Sequence, residues 1–342
     1  MEKYDVVIVG AGPAGLSAAK VLAEHDREVL VLEKNGRIGD KVCAGLIDLK
    51  KINIKIPNSI LERKFRYFKI KSPLQEFKAD IGGKFLGTID RKILGKYMAK
   101  QAIKEGAKIW KEVNVKNISK NFVVLNNNKK IGFDYLIGAD GANSIVRRFL
   151  NLKNEKLADA FQYRFKGKKR ELEFHFDPLK LGPGYLWVFP YKDSFSIGSG
   201  GDLSRHKIIN INDVRQYLEE YCKENRFDIK NAKFEGTIIN YDYKGHEFNN
   251  IFLAGDAAGL TPGLICDGIN PAITSGMDIA KKILDKKYNC ENIYRILRIK
   301  KVEEDILSSL EISKTLTEIE VEALVSLLRL KLINKFVLDE LE

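Results

Sequence analysis

The chain has 342 residues, 44% of them hydrophobic and 30% charged, with a formal net charge of +12 at pH 7. That length exceeds what one hydrophobic core usually serves, so two or three domains of ordinary globular composition are expected. The basic excess fits either a Lys-rich surface of dispersed charge or attraction to anionic lipid; nucleic acid is not an expected partner, because no RNP, zinc-finger or helix-turn-helix signature is present.

The first element is an apolar strand, Val6 to Val9, inside YDVVIVGAGPAGLSAAKVLAEHDREVLVLEK. It begins near Tyr4 and leaves no room for a cleaved leader, so a cytoplasmic location is expected. The strand runs into Gly10-x-Gly12-x-x-Gly15, a helix-compatible stretch follows from Pro13 to Glu24, and a second strand, Glu28 to Leu32, ends in Glu33. Gly10 permits a tight turn, Gly12 lets backbone approach a pyrophosphate, and Gly15 lets helix and strand pack closely. The helix N-terminus favours anionic phosphates, and Glu33 is placed to accept hydrogen bonds from ribose hydroxyls. This context is that of a dinucleotide site, and by itself it does not separate FAD from NAD.

Further along, FDYLIGADGANSIVRR (133–148) is an apolar strand ending in Asp140-Gly141, with a helix starting around Asn143 or Ser144. ELEFHFDP and SFSIGSG alternate as strands do. Between them, GPGYLWVFP (182–190) sets Tyr185, Trp187 and Phe189 on one face of a strand and Leu186 and Val188 on the other. The aromatic face is read either as sandwich core or as the wall of an apolar pocket. NIFLAGDAAGLTPGLICDGINPAITSG (250–276) ends a third apolar strand in Gly255-Asp256; after a loop, a helix starts with Gly268, Ile269, Asn270 and Pro271. Residues 286–342 read as helices. In the last, Leu316, Ile319, Leu324, Leu327, Leu328, Ile333, Val337 and Leu341 recur among Arg329, Lys331 and Lys335. That pattern fits a helix packed on the cofactor domain or a basic amphipathic helix lying on lipid. Cys43, Cys222, Cys266 and Cys290 make no C-x-x-C pair, which indicates neither a zinc site nor a disulfide framework. No uncharged apolar run reaches about 18 residues, so no membrane span is expected. No second G-x-G-x-x-G unit offers nicotinamide a place of its own.

The three glycine-acid segments, in this order, resemble the flavin monooxygenase and reductase superfamily of aromatic hydroxylases. The resemblance implies FAD. It places Asp140-Gly141 near the pyrophosphate, Asp256 on the ribityl chain, and the helix start Gly268–Ile269–Asn270 against the flavin ring. It also brings Arg91 to the cofactor and the Val115 backbone to adenine, and Ala14, Lys34, Ala44 and Gly45 join the expected set. KVCAG (41–45) with YLWVFP resembles one branch, the geranylgeranyl reductase family, which includes archaeal digeranylgeranylglycerophospholipid reductases. The resemblance covers residues 1 to about 285. It implies FAD-dependent reduction of isolated C=C bonds in isoprenoid lipid chains, with NAD(P)H or ferredoxin as electron donor and peripheral contact with a membrane.

On this reading Tyr185, Trp187 and Phe189 wall a tunnel, and Cys43 places its thiol beside the isoalloxazine; the alternative for Cys43 is a small buried hydrophobe. The loop 262–269 departs from the family pattern by one extra residue and by carrying Cys266 and Asp267. Two readings of the thiols stay open: a reversible Cys43–Cys266 bond, or two unpaired cysteines. The other functions considered are a flavin hydroxylase of a smaller apolar substrate and a non-catalytic flavin- or lipid-binding redox sensor. The expected fold is α/β (α+β): a Rossmann-like FAD-binding domain from residues 1–55, 85–150 and 250–285, an antiparallel-sheet catalytic domain from 56–84 and 151–249, and a C-terminal helical region, 286–342.

Overall fold

A computed structural model describes residues 1–81, 85–201, 210–309 and 314–330, with side chains left undescribed at 314–317. Among the described residues the helices are α1 (Pro13–Ala23), α2 (Arg91–Lys104), α3 (Ile145–Phe149), α4 (Pro178–Leu181), α5 (Ile211–Glu224), α6 (Ile269–Leu284), α7 (Glu291–Ser309) and α8 (Lys314–Arg329).

The largest sheet orders its strands Glu247–Phe248, Ile251–Leu253, Lys130–Gly138, Glu2–Val9, Val29–Leu32 and Lys108–Trp110. From Ile251–Leu253 onward every pairing along this path is parallel. Phe122–Leu125 and Val115–Ile118 extend it as antiparallel strands. The strand Glu2–Val9 is buried on both sides, as parallel strands under helices are, and therefore reads as a continuous apolar run. The chain leaves Glu2–Val9 in one direction through α1 and later adds Lys130–Gly138 on its other side. The carboxyl ends of these strands meet where the winding reverses, which is where α/β sheets place their ligands. Two backbone bonds fasten that edge: Ala139 N–H donates to Val9 O at 2.8 Å, and Ala254 N–H to Gly138 O at 2.9 Å.

A second sheet runs Lys233–Asn240, Leu157–Lys166, Ser194–Gly201, Tyr185–Pro190, Glu173–His175, Tyr67–Lys71 and Glu76–Asp80. It is antiparallel except that Glu173–His175 pairs in parallel with Tyr67–Lys71. The exception arises because the last two strands come from a separate stretch of chain, not from the hairpins around them. A small third sheet, Leu46–Asp48, Leu86–Ile89 and Leu61–Phe65, joins segments that the sequence assigned to different domains.

Strand Tyr185–Pro190 uses both of its faces. Leu186 and Val188 pack with Val214, Leu218 and Cys222 of α5. Trp187 and Phe189 gather with Phe65, Leu172 and Tyr191. The described part of the C-terminal helix covers the second sheet: Val321 and Val325 of α8 pack on Ile70 and Ala79, and Leu264 of the segment 250–285 joins the same cluster. Glu322 secures the contact by accepting from Leu74 N–H at 3.0 Å and Gln75 Nε2 at 2.8 Å. The apolar positions Ile333, Val337 and Leu341, with Lys331 and Lys335, lie outside the described residues, as does the side chain of Leu316.

Candidate functional site

One cavity of about 2440 Å³ runs from the carboxyl edge of the parallel sheet to the aromatic face of the second sheet. At its first end lies the glycine turn. Gly10 has φ +102°, and a Cβ there would stand 2.4 Å from Ala139 O, so only glycine lets the turn pass under the next strand. Gly12 and Ala14 line the cavity, whereas Gly15 serves the helix–strand contact behind it and does not reach the cavity. No side chain caps the N-terminus of α1, which leaves its first amides free for an anion. Glu33 is buried, and its carboxylate accepts from Ala11 N–H at 2.9 Å and Asn35 N–H at 2.8 Å. It therefore shapes the loop as well as facing the cavity beside Lys34.

Arg91 is the first residue of α2, not a mid-helix surface arginine; it lines the cavity and its Nε is buried without a partner. Val115, buried at the start of its strand, lines the same end. Asp140 accepts from Ile145 N–H at 2.6 Å through Oδ2, while its Oδ1 is buried and unpartnered. Burial raises its pKa. Gly141 follows with positive φ and open space in front of it. Orphaned buried polar atoms of this kind are rare unless a ligand meets them.

At the middle of the cavity, Asp256 Oδ1 accepts from the Thr261 hydroxyl at 2.7 Å, and Oδ2 pairs with Lys41 Nζ. Gly255 N–H donates to Ser275 Oγ at 3.0 Å. The N-cap of α6, Gly268, has no side chain, and the Asp267 carboxyl meets the Ile269 and Asn270 amides; Gly268 and Ile269 line the cavity there. Asn270 does not line it. Its side chain turns along the helix and accepts from the Thr274 hydroxyl at 3.4 Å. Ala44 and Gly45 close the opposite wall. The open start of α1, the unpartnered Arg91 and Asp140 atoms and the glycine turn together fit a dinucleotide flavin.

The remaining arm is apolar. Tyr185, Trp187 and Phe189 line it, with centroids 5.9 Å apart at each step, and Phe174 meets them tilted at 5.7 Å from Tyr185 and edge-on at 5.2 Å from Phe189. The indole of Trp187 lies against Gly198, where a Cβ would stand 2.3 Å from the ring. Its Nε1 is buried without a partner.

A polar cluster marks the junction of the two arms. Cys43 Sγ accepts from Gly45 N–H at 3.3 Å. The Tyr185 hydroxyl donates to Ile265 O at 2.7 Å, and the Tyr191 hydroxyl donates to Ala44 O. Burial pushes the Tyr185 phenol well above its usual range. Cys266 is held at φ +57° with Sγ 3.3 Å from Gly263 O, and Cys266 and Cys43 both line the cavity with no disulfide between them. Asp267 lines the cavity and burial pushes its carboxyl up to about 6. Glu303 of α7, buried, accepts from Leu264 N–H at 3.0 Å and Ile265 N–H at 3.1 Å; desolvation pushes it up to about 7. Sequence reasoning missed Lys41, Thr261 and Glu303. Only Lys41, inside KVCAG, carried any local signal.

These features define a Rossmann-type flavoprotein whose cofactor cradle opens into an apolar, aromatic-walled arm. The chain matches the NAD(P)-binding Rossmann-like domain over residues 8–68 and the FAD binding domain over residues 75–287. It is 30% identical over 304 residues to a digeranylgeranylglycerophospholipid reductase of Methanosarcina acetivorans, covering 80% of this chain and 73% of that one. It is 32% identical over 305 residues to an uncharacterised protein of Methanosarcina barkeri, covering 83% of this chain and 75% of that one. A geranylgeranyl bacteriochlorophyll reductase-like protein from Thermoplasma acidophilum shares the fold, with a TM-score of 0.79 at 22% identity and 100% of each chain covered. The protein belongs to the geranylgeranyl reductase family, within the FAD-dependent aromatic hydroxylase-type superfamily, and its cofactor is FAD.

Proposed function

We propose that this protein is an FAD-dependent reductase of isolated C=C bonds in isoprenoid chains, acting on precursors of membrane lipids. The observation that carries the reading is the continuity of the flavin cradle with an apolar arm walled by Tyr185, Trp187 and Phe189. An isoprenoid chain offers almost no polar handle, so its site must be long, greasy and closed to water. Rigid rings suit that task because they supply area at little entropic cost.

When bound, FAD supplies the hydride for one alkene carbon. Everything else falls to the chain. The amides at the start of α1 and Arg91 would hold the phosphates, Asp256 the ribityl hydroxyls, and Glu33 the ribose. The start of α6 would meet the ring, and its helix dipole would favour negative charge on the reduced form. The aromatic wall would orient the substrate and keep the site dry. Cys43, at the junction of the arms, would meet the ring edge or the substrate.

We read residues 1–55, 85–150 and 250–285 as the cofactor unit, and 56–84 with 151–249 as the substrate unit. The cavity also opens beside α7, where Ile265 and Val302 are 53% and 59% exposed next to Arg295 and Arg298. Apolar and basic groups at one mouth suit approach to an anionic lipid surface. No helix among the described residues is long and apolar enough to cross a membrane.

Incubation with a geranylgeranyl lipid, anaerobically, with NAD(P)H or reduced ferredoxin in parallel, tests the function. A product heavier by two hydrogens per reduced bond supports it and identifies the donor. Product formed only with oxygen, and carrying an oxygen atom, makes the protein a hydroxylase.

A further inference from the structure

Reduction of an unactivated alkene needs a proton as well as a hydride, and the proton must come from a group inside a dry cavity. Five side chains at the junction of the two arms carry an exchangeable proton towards the cavity: Tyr185, Cys43, Cys266, Asp267 and Glu303, the last tied to the loop amides of Leu264 and Ile265. The Tyr185 proton is committed to Ile265 O, and its phenol is held far above neutrality. The Cys266 thiol lies on Gly263 O, and the Cys43 sulfur is turned to the Gly45 amide.

Asp267 is placed differently. It is half-buried on the cavity wall, immediately before the start of α6, whose Ile269 and Asn270 amides its carboxyl meets. Behind it, the Glu303 carboxylate grips the same loop through two backbone N–H groups. The Trp187 indole N–H, buried and unpartnered, lines the same cavity.

We propose that Asp267 is the proton donor to the substrate double bond, and that Glu303 is a positioning residue that holds the loop carrying Asp267 in the cavity wall. This rests on the reductase reading. In the step the C=C π bond breaks. One carbon takes a hydride from the reduced cofactor; the other takes the Asp267 proton into a new C–H bond. The alkene gains two electrons, the cofactor loses two, and the carboxylate is reprotonated from water when the site reopens.

The charges around Asp267 support the assignment. Desolvation is the largest influence and favours the protonated acid; Asp48 acts in the same direction, while Lys51 and the amides of Ile269 and Asn270 oppose it. Asp267 and Glu303 repel, with Lys300 of α7 partly offsetting the Glu303 charge. From the second sheet Tyr185 faces the pair, and Cys43 and Cys266 flank that hydroxyl. At about pH 6 half of the Asp267 carboxyls hold a proton.

The test compares wild type with Asp267→Asn, both loaded with FAD, chemically reduced and given a prenyl lipid without oxygen. Asp267→Asn is expected to lose alkene reduction by roughly 100-fold or more. It retains FAD and returns electrons to oxygen at the wild-type rate, and Asp267→Glu recovers part of the turnover. Carbon-13 NMR of the aspartate carboxyls, on FAD-bound protein, is expected to show a signal besides that of Asp140 titrating above the usual carboxylate range. That signal disappears in Asp267→Asn and persists in Glu303→Gln, whose amide oxygen still accepts both loop N–H groups. Turnover of Asp267→Asn within about threefold of wild type overturns the assignment, as does an Asp267 signal titrating in the ordinary range. A wild type that reduces no prenyl lipid overturns the reductase reading itself, and the assignment with it.

Discussion

Asp256 and Glu33 show how single side chains serve the chain and its cofactor at once. Asp256 is tied to Thr261 and Lys41, and Glu33 to the amides of Ala11 and Asn35, so both are oriented before FAD arrives. Replacing either by Ala should weaken FAD binding by on the order of 1–3 kcal/mol, read by equilibrium dialysis. Glu33→Ala also frees two loop amides, so it should lower thermal stability more than Asp256→Ala. Equal FAD affinity in all three proteins would remove both residues from the cradle. Trp187 is 5% exposed and packed on Gly198, so Trp187→Ala both widens the arm and opens a void. We expect a loss of roughly 3 kcal/mol in stability and a larger relative fall in turnover of long prenyl chains, with FAD still bound. Unchanged activity per folded molecule would make the ring core alone. Glu33 could be read from spacing, because the glycine turn fixes where the next strand must end. Glu303 could not. In IKKVEEDILSSL it looks like any solvated acid, and only the packing of α7 on the loop 262–268 buries it.

The loop 262–268 is the element on which the site turns. Three bonds hold it: the Tyr185 hydroxyl on Ile265 O, and the Glu303 carboxylate on the amides of Leu264 and Ile265. Burial raises Glu303 from 4.5 to about 7, so the folded protein holds a proton that the unfolded chain releases near 4.5. Between those values the native state binds more protons, and stability therefore falls as pH rises. The shift corresponds to a loss on the order of 2–3 kcal/mol from about pH 4.5 to 7. Glu303→Gln should flatten that part of the stability–pH curve, measured by urea unfolding; a curve as steep as the wild type's would show that Glu303 carries no raised pKa. Among the elements, the alternation in YLWVFP was legible, because a strand with helix on one side and cavity on the other must be apolar on both. The position of α8 was not. Its apolar stripe says only that something is covered, and the partner, the pair Ile70 and Ala79, lies some 250 residues earlier in the chain. The three-stranded sheet escaped notice for the same reason: its strands are short and pair across long separations, so no local pattern announces them.

At the scale of the molecule, two sheets divide the work. The parallel sheet ends its central strands at one edge and so gathers Gly10, Asp140 and Gly255 from segments far apart in sequence. That gathering could be foreseen, because each segment carries its own strand-then-glycine signature and the doubly wound topology leaves one place for them to meet. The second sheet brings an aromatic face against that edge, and the cavity between them is continuous. Its far wall, built by α7 and α8, depends on tertiary packing alone. If the protein is a prenyl reductase, a prenyl double bond itself takes the electrons from its flavin. The direct measurement is the absorbance of the FAD-bound, chemically reduced protein, mixed with a geranylgeranyl lipid in the absence of oxygen. The yellow oxidised spectrum is expected to return in step with loss of the double bond, and a fully saturated lipid to leave the flavin reduced. A flavin that stays reduced with both lipids until oxygen is admitted would contradict the reductase reading.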